Sequence, residues 1–344
     1  MGIALADSRS SEIGRHRHRI LVCVDCSAFS EVCIPYAVAL AKTFGSTISL
    51  VHVMQPHGEH GGTQANDALG WEFSRQEARG YLDRLEKKIS QTSGIRVETK
   101  LEQGPPAERI VDLGRELAAD LTVVGSRGGG GAPKWTLGST AQKVLAMART
   151  SVFIAHSSST TPCFATPMRI LVPLDGSLRT ESVLPTVARM ARSNGAEILL
   201  AHVVQEPLPT ALLSVAEDMA LARKLAARLA SRAAGYLAHL QEQLQQADDA
   251  ASVNTIVARC ANECQCLLEI AQREQSDLVV LSAHGAACDS AQSFGRVTTF
   301  LLTHSIVPVL MLQDLPSHEL HRAQDNEGEM APPSLRTSYA AEAP

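Results

Sequence analysis

The feature that most constrains this chain is that it repeats itself. RILVCVDCSAFSE, beginning at Arg19, returns as RILVPLDGSLRTE from Arg169, and ISLVHVMQP from Ile48 returns as ILLAHVVQEP from Ile198. Both pairs carry the same offset of 150 residues. ADLTVVGSRG from Ala119 returns as SDLVVLSAHG from Ser276, offset by 157, so the second copy holds seven extra residues in between. Three matched blocks in one order mean that a single folding unit is used twice. A chain of 344 residues accommodates two such units, each large enough to bury a sizeable core.

Within each unit, short apolar runs rich in β-branched residues alternate with stretches of helical spacing. That is the pattern of parallel strands buried on both faces and joined by covering helices. In the first unit the strands are expected at Ile20–Val24, Ile48–Val53, Val97–Leu101, Leu121–Val124 and Val152–Ala155. Helices are expected from about Ser30 to a Gly45 stop, over Glu72–Ile89 and Ala107–Leu117, and onward from Ala141. The second unit repeats the strands at Ile170–Leu174, Ile198–Val203, about Ser252–Val257, Leu278–Leu281 and Val307–Leu312. Its long Ala-, Leu- and Arg-rich helix, Val215 to Gln246, either covers its own sheet, the default reading, or offers a surface to a partner.

The chemistry concentrates between Asp120 and His156. After the strand ending at Val124 come Gly125 and Gly128, then, nine residues on, Gly138, Ser139 and Thr140 at the start of a helix. Glycines between a strand and a helix let backbone N–H groups approach a ligand, and the helix start adds unpaired donors and a positive dipole end. Such a loop suits phosphate; the plain alternative is a flexible surface loop. It is neither a GxxxxGK[ST] phosphate loop nor a GxGxxG turn. Arg127, and with a weaker case Lys134, could bring charge to a phosphate tail. Asp25 ends the first strand, where open α/β sheets bind ligands, and could take a hydrogen bond from a base or ribose or hold a metal through water. A helix cap is the structural alternative, and Ser27 could supply that cap instead.

These residues resemble the universal stress protein family, in tandem form with two UspA-type domains. The family's motif G-x2-G-x9-G-[ST] is matched by Gly125, Gly128, Gly138 and Ser139, and its Asp in a DxS context by Asp25 with Ser27 and by Asp175 with Ser177. The resemblance covers residues 17–156 and 168–313, leaving 157–167 as a linker and 314–344 as a disordered tail. It implies two doubly wound, Rossmann-like domains, each a five-stranded parallel sheet in the order 3-2-1-4-5. Their apolar last strands would pair to make an internal pseudo-dimer, and further homo-oligomerisation through edge strands is expected. It also implies an adenine nucleotide, as ATP or as ADP or AMP, with Mg2+ as a possible companion. The base would lie against Asp25 and the backbone of Val53 (Val203 in the second copy), with Gly104 bordering it. The phosphates would lie on Gly125, Gly128, Gly138, Ser139 and Thr140.

In the second unit the motif decays. Ser282 stands at the first glycine position, Gly285 and Gly295 are kept, Arg296 replaces the hydroxyl residue, and Ala261 replaces Gly104. The second site, with Asp175, Val203, Gly285 and Gly295, is expected to be the weaker one. Arg296 removes a hydroxyl but could supply a cation to an anion.

Other chemistry-bearing residues have weaker patterns. Cys23 and Cys26 form a CxxC that the second unit replaces with Pro173 and Gly176, which reads as incidental thiols. Cys260, Cys264, Cys266 and Cys288 could converge near the second pocket. His57, His60 and the RHRHR run from Arg15 lack a third ligand at fixed spacing, and no metal site is assigned. His52 and His202 fall inside strands and read as structural. A net charge of −5 gives no basic field for nucleic acid, no apolar run reaches a membrane span, and no secretory signal opens the chain. A cytoplasmic protein with reduced thiols is therefore expected. No catalytic base or triad stands out, so the expectation is a nucleotide-binding stress or signalling protein with at most slow ATP hydrolysis. The alternatives are a nucleotide-free interaction module or a true hydrolase.

Overall fold

The structure, a computed structural model, describes residues 18–55, 68–126, 137–156, 168–206, 216–248, 252–287 and 294–313, with backbone only for Ala68 and Ala216. The arm, the linker, the tail, the His57/His60 loop, Arg127, Gly128, Lys134 and Cys288 lie outside the described residues.

The first unit runs β1 (Arg19–Cys23), α1 (Ala28–Glu31), α2 (Cys33–Phe44), β2 (Thr47–Met54), α3 (Ala68–Ser93), β3 (Val97–Gln103), α4 (Pro106–Glu116), β4 (Leu121–Gly125), α5 (Ser139–Met147) and β5 (Ser151–Ala155). The second runs β6 (Arg169–Pro173), α6 (Leu178–Glu181), α7 (Leu184–Asn194), β7 (Glu197–Gln205), α8 (Ala216–Ala247), β8 (Val253–Cys260), α9 (Glu263–Arg273), β9 (Leu278–Ser282), α10 (Arg296–His304) and β10 (Val309–Leu312). Every expected strand is present with shifted ends, β10 starting at Val309 rather than Val307; the single helix expected from Ser30 to Gly45 is divided into α1 and α2, and α3 runs past both expected ends. Element ends are held by backbone bonding that an apolar pattern does not mark.

All ten strands form one sheet in the order β3-β2-β1-β4-β5-β10-β9-β6-β7-β8. Each half keeps the expected 3-2-1-4-5 order with parallel neighbours, and the two halves meet where β5 and β10 pair antiparallel. Val152 lies opposite Met311, Phe153 opposite Leu310 and Ile154 opposite Val309. The apolar edges that each unit would leave exposed are thereby consumed inside the chain, which leaves β3 and β8 as the outer strands. That internal pairing, rather than pairing between chains, is what the last strands do.

Successive residues of a strand face opposite sides, and both sides are covered. Ile20 and Val22 join α2, α3, α7 and α8 in one core, while Leu21 joins α4, α5, α9 and α10 in the other. The central strands are apolar without interruption because neither face meets water. At the amino ends of the strands, Asp120 accepts a hydrogen bond from the Arg19 N–H at 2.7 Å, and Asp277 does the same for Arg169 at 2.8 Å. The repeated aspartates of the third sequence block thus tie β1 to β4 and β6 to β9, a role their spacing does not disclose. Across the seam, Arg189 of α7 donates to the Thr43 carbonyl at 3.1 Å and lies over the Phe44 ring at 5.0 Å.

Candidate functional site

In the first unit β1 pairs with β2 on one side and β4 on the other. Chain leaving β1 turns to α1 and α2 on one face, and chain leaving β4 runs to α5 on the opposite face. The crevice between these departures is where a doubly wound sheet receives ligands.

Asp25 sits at that crevice, solvent-exposed, and its Oδ1 accepts from Ser27 N at 3.1 Å and Ser27 Oγ at 2.5 Å. Ser27 is itself the N-cap of α1, taking the Ser30 N–H on its side chain. The cap is therefore Ser27, and Asp25 is positioned by it rather than spent on the helix. Between them, Cys26 has φ 63°, a left-handed conformation that Gly176 adopts at φ 86° in the second unit. Partial burial and the carboxylates of Asp25 and Glu77 push the Cys26 thiol up to about 11. Burial raises Cys23 as well, so neither member of the CxxC is the low-pKa thiolate that redox chemistry needs.

Val24 N–H donates to the Val51 carbonyl at 2.9 Å, after which β1 turns away from β2. Strand groups alternate sides with a period of two, so the N–H and C=O of Val53 face the space that β1 has left. His52, pointing to the other face, anchors the turn through Nδ1 to the Val24 carbonyl at 2.9 Å, the structural role expected of it. Gly104 follows β3 with φ 131°, a region closed to other residues, and its N–H reaches the Met54 carbonyl at 3.1 Å. A cavity of about 530 Å³ opens here, bordered by Cys26, His52, Val53, Trp71, Tyr81 and Arg84.

The base of the glycine loop is closed by two backbone bonds: Ser126 N–H to the Ala155 carbonyl at 2.7 Å and Gly138 N–H to the Ser126 carbonyl at 2.8 Å. Gly138 is the N-cap of α5 and supplies no side-chain cap, so the first N–H groups of the helix, beside the exposed Ser139 and half-buried Thr140, have no capping carboxylate or hydroxyl among the described residues. Asp25, Ser27, Val53, Gly104, Gly125, Gly138, Ser139 and Thr140 all lie at the carboxyl end of the sheet or at the helix start beside it. Ser126 escapes the sequence reading because its contribution is a carbonyl that any residue could supply.

The second unit builds the same frame and fills it differently. Ala283 N–H bonds to the Leu312 carbonyl and Gly295 N–H to the Ala283 carbonyl, each at 2.8 Å, so the turn survives the change to Ser282. Ser282 Oγ donates to the His284 carbonyl at 2.6 Å, and its own carbonyl takes the Thr298 hydroxyl at 2.9 Å. Asp175 is held by four hydrogen bonds. Its Oδ1 accepts from Ser177 N, Ser177 Oγ and Thr180 Oγ1 at 2.9, 2.6 and 2.9 Å, and its Oδ2 takes the Ala286 N–H at 2.7 Å. Burial alone would raise this carboxyl, but the hydrogen bonds from Ser177, Ala286 and Thr180 outweigh it and hold the pKa below the usual value. A side chain on Gly285 would collide with the same carboxylate. Arg296 pairs with Glu263 at 3.2 Å, so an acid at the start of α9 already meets the cation expected to serve a ligand. Burial and Asp175 raise the Glu263 carboxyl against the pull of Arg296.

The second-unit cysteines do not converge as a set among the described residues. Cys260 and Cys266 interact through their thiols, Cys264 is buried, and no described group of three His, Cys, Asp or Glu side chains could hold a metal.

The family model for the universal stress protein family matches residues 16–156 and again 167–313. The chain belongs to this family. A universal stress protein of Mycolicibacterium smegmatis is 26% identical over 300 residues, spanning 86% of this chain and 96% of that protein. One from Thermus aquaticus is 32% identical over 141 residues, covering 40% of this chain and 97% of its own length. Among solved structures, a universal stress protein from Archaeoglobus fulgidus shares the fold with a TM-score of 0.59 at 19% identity, over 86% of this chain and 98% of that one. No helix among the described residues of this universal stress protein is long and apolar enough to cross a membrane.

Proposed function

We propose that the first unit binds an adenine nucleotide, ATP foremost, and that the protein is a nucleotide-responsive stress or signalling protein rather than a dedicated enzyme. The observation that carries this reading is the α5 amino terminus, which has no side-chain cap among the described residues and opens on the crevice that also holds Asp25, the Val53 backbone and Gly104. Phosphates would take the α5 N–H groups and the Ser139 and Thr140 hydroxyls, joined by Gly128 and Arg127 of the loop. The base would lie between Asp25, Val53 and Gly104. Bound Mg2+ would neutralise phosphate charge. Backbone donors bind phosphate without activating water, so turnover would be slow.

For the second unit the favoured reading is a pocket closed by its own acids. Asp175 takes the Ala286 N–H, and Glu263 takes Arg296. The test is denaturing extraction of the purified full-length protein, with released nucleotide identified and counted per chain. About one adenine nucleotide per chain is expected, lost in Gly138→Val and retained in Gly295→Val. Two per chain would overturn the closed second pocket. No release, together with no ATP-induced rise in melting temperature, would overturn nucleotide binding and leave an interaction module.

A further inference from the structure

Helix α8 is 32 residues long against 26 for its counterpart α3, and its amino-terminal part does not pack on the sheet. Of residues 217–225 none is buried; the first buried side chain is Ala226, followed by Ala233, Leu237 and Leu240 on one face. Beside that face runs a second apolar ridge, Leu221, Leu225 and Leu229, exposed by 68, 58 and 43%. Spaced four residues apart, these leucines form a continuous stripe along a helix side that no described element covers. The stripe is bracketed by charge of opposite sign, with Asp218 one heptad before Leu225 and Arg232 one heptad after it. Among the described residues neither makes an ion pair.

We infer that this stripe is a homodimer contact, in which α8 of one chain packs antiparallel on α8 of a second copy with Leu225 on the two-fold axis. Antiparallel pairing about Leu225 places Leu221 against the partner copy's Leu229 and Asp218 against the partner copy's Arg232, twice over by symmetry. Leucines at four-residue spacing, with opposite charges one heptad to either side, give an apolar contact with matched ends for an antiparallel helix pair. A parallel arrangement would set Asp218 against Asp218 and Arg232 against Arg232, so the charges select the direction. The sheet seam of β5 and β10 is already closed within the chain, so this contact is independent of it. It is also small, which makes the association concentration-dependent.

The test is sedimentation velocity of the full-length protein from micromolar to hundred-micromolar concentration, at low and high salt. The expected result is a monomer–dimer equilibrium that weakens as salt rises and is lost in Leu225→Glu, whose far-UV circular dichroism stays native. Asp218→Arg and Arg232→Asp should each weaken the dimer about tenfold, and the double variant should restore it. A monomer at all concentrations overturns the inference, as does a dimer indifferent to Leu225→Glu. Failure of the double variant to restore association overturns the antiparallel register. A monomer that instead sediments with phosphatidylcholine–phosphatidylglycerol vesicles, and loses this in Leu225→Glu, would assign the stripe to a lipid surface and overturn the dimer.

Discussion

Asp25 and Asp175 are one residue in two settings, the first exposed and the second half-buried. Asp175 gathers four hydrogen bonds, one of them from the loop that follows β9, and its pKa is lowered. A carboxylate whose folded-state pKa lies below its unfolded value stabilises the fold above that value, about 3.9 for Asp, and the contribution is lost as pH falls through the folded pKa. Asp175→Asn should therefore cost about 1–2 kcal/mol at pH 7, after allowing for partial exposure, and progressively less below about pH 4. Urea unfolding of wild type and variant at pH 7 and pH 3 checks the sign. Asp25→Asn should instead leave stability within about 0.5 kcal/mol and weaken nucleotide binding, read by ATP titration. Gly104 is the other residue whose identity is dictated locally: at φ 131° an alanine should cost about 1–3 kcal/mol even though open space surrounds it. That strain is visible only in the backbone, whereas the positions of the motif glycines were legible from their spacing alone.

Among the elements, the helices that follow β1 and β6 differ in kind from those that follow the glycine loops. α1 and α6 start on Ser27 and Ser177, each of which caps its helix with its own oxygen. α5 and α10 start on Gly138 and Gly295, which cannot. A ligand therefore has something to gain at α5 and nothing at α1. Ser27→Ala should cost about 1 kcal/mol by loss of the cap, in urea unfolding, and should also release Asp25 and lower nucleotide affinity. The same mutation at Ser177 should cost stability without a binding effect. Helix α8 shows where sequence periodicity stops: its apolar content announces a helix, but which leucines reach the sheet depends on how far the helix overhangs β7 and β8.

At the scale of the molecule, the ten strands are one sheet because β5 and β10 pair. Phe153, fully buried, faces Leu310 across that seam and packs on Tyr36 with ring centroids 5.1 Å apart. Phe153→Ala should cost about 3–5 kcal/mol by opening a cavity in the shared core. The intact chain should unfold in a single transition seen alike by circular dichroism and tryptophan fluorescence. A charge at Leu310, such as Leu310→Lys, should split that transition by uncoupling the halves.

The amino-acid sequence by itself determined the duplication, the α/β class, the approximate strand positions and the family. Those follow from local pattern: offsets between matched blocks, buried β-branched runs and glycines at set spacing. The family resemblance also led to the expectation that the last strands pair within the chain; only the tertiary structure decided that this pairing is antiparallel, that Asp175 and Glu263 engage the second pocket's own donors, and that Asp120 and Asp277 tie strands. Each of those depends on a partner more than thirty residues away, or on a backbone N–H whose availability no side chain announces. Hydrogen-bond donors are shared out only when the chain is folded, and sequence spacing carries no record of who receives them.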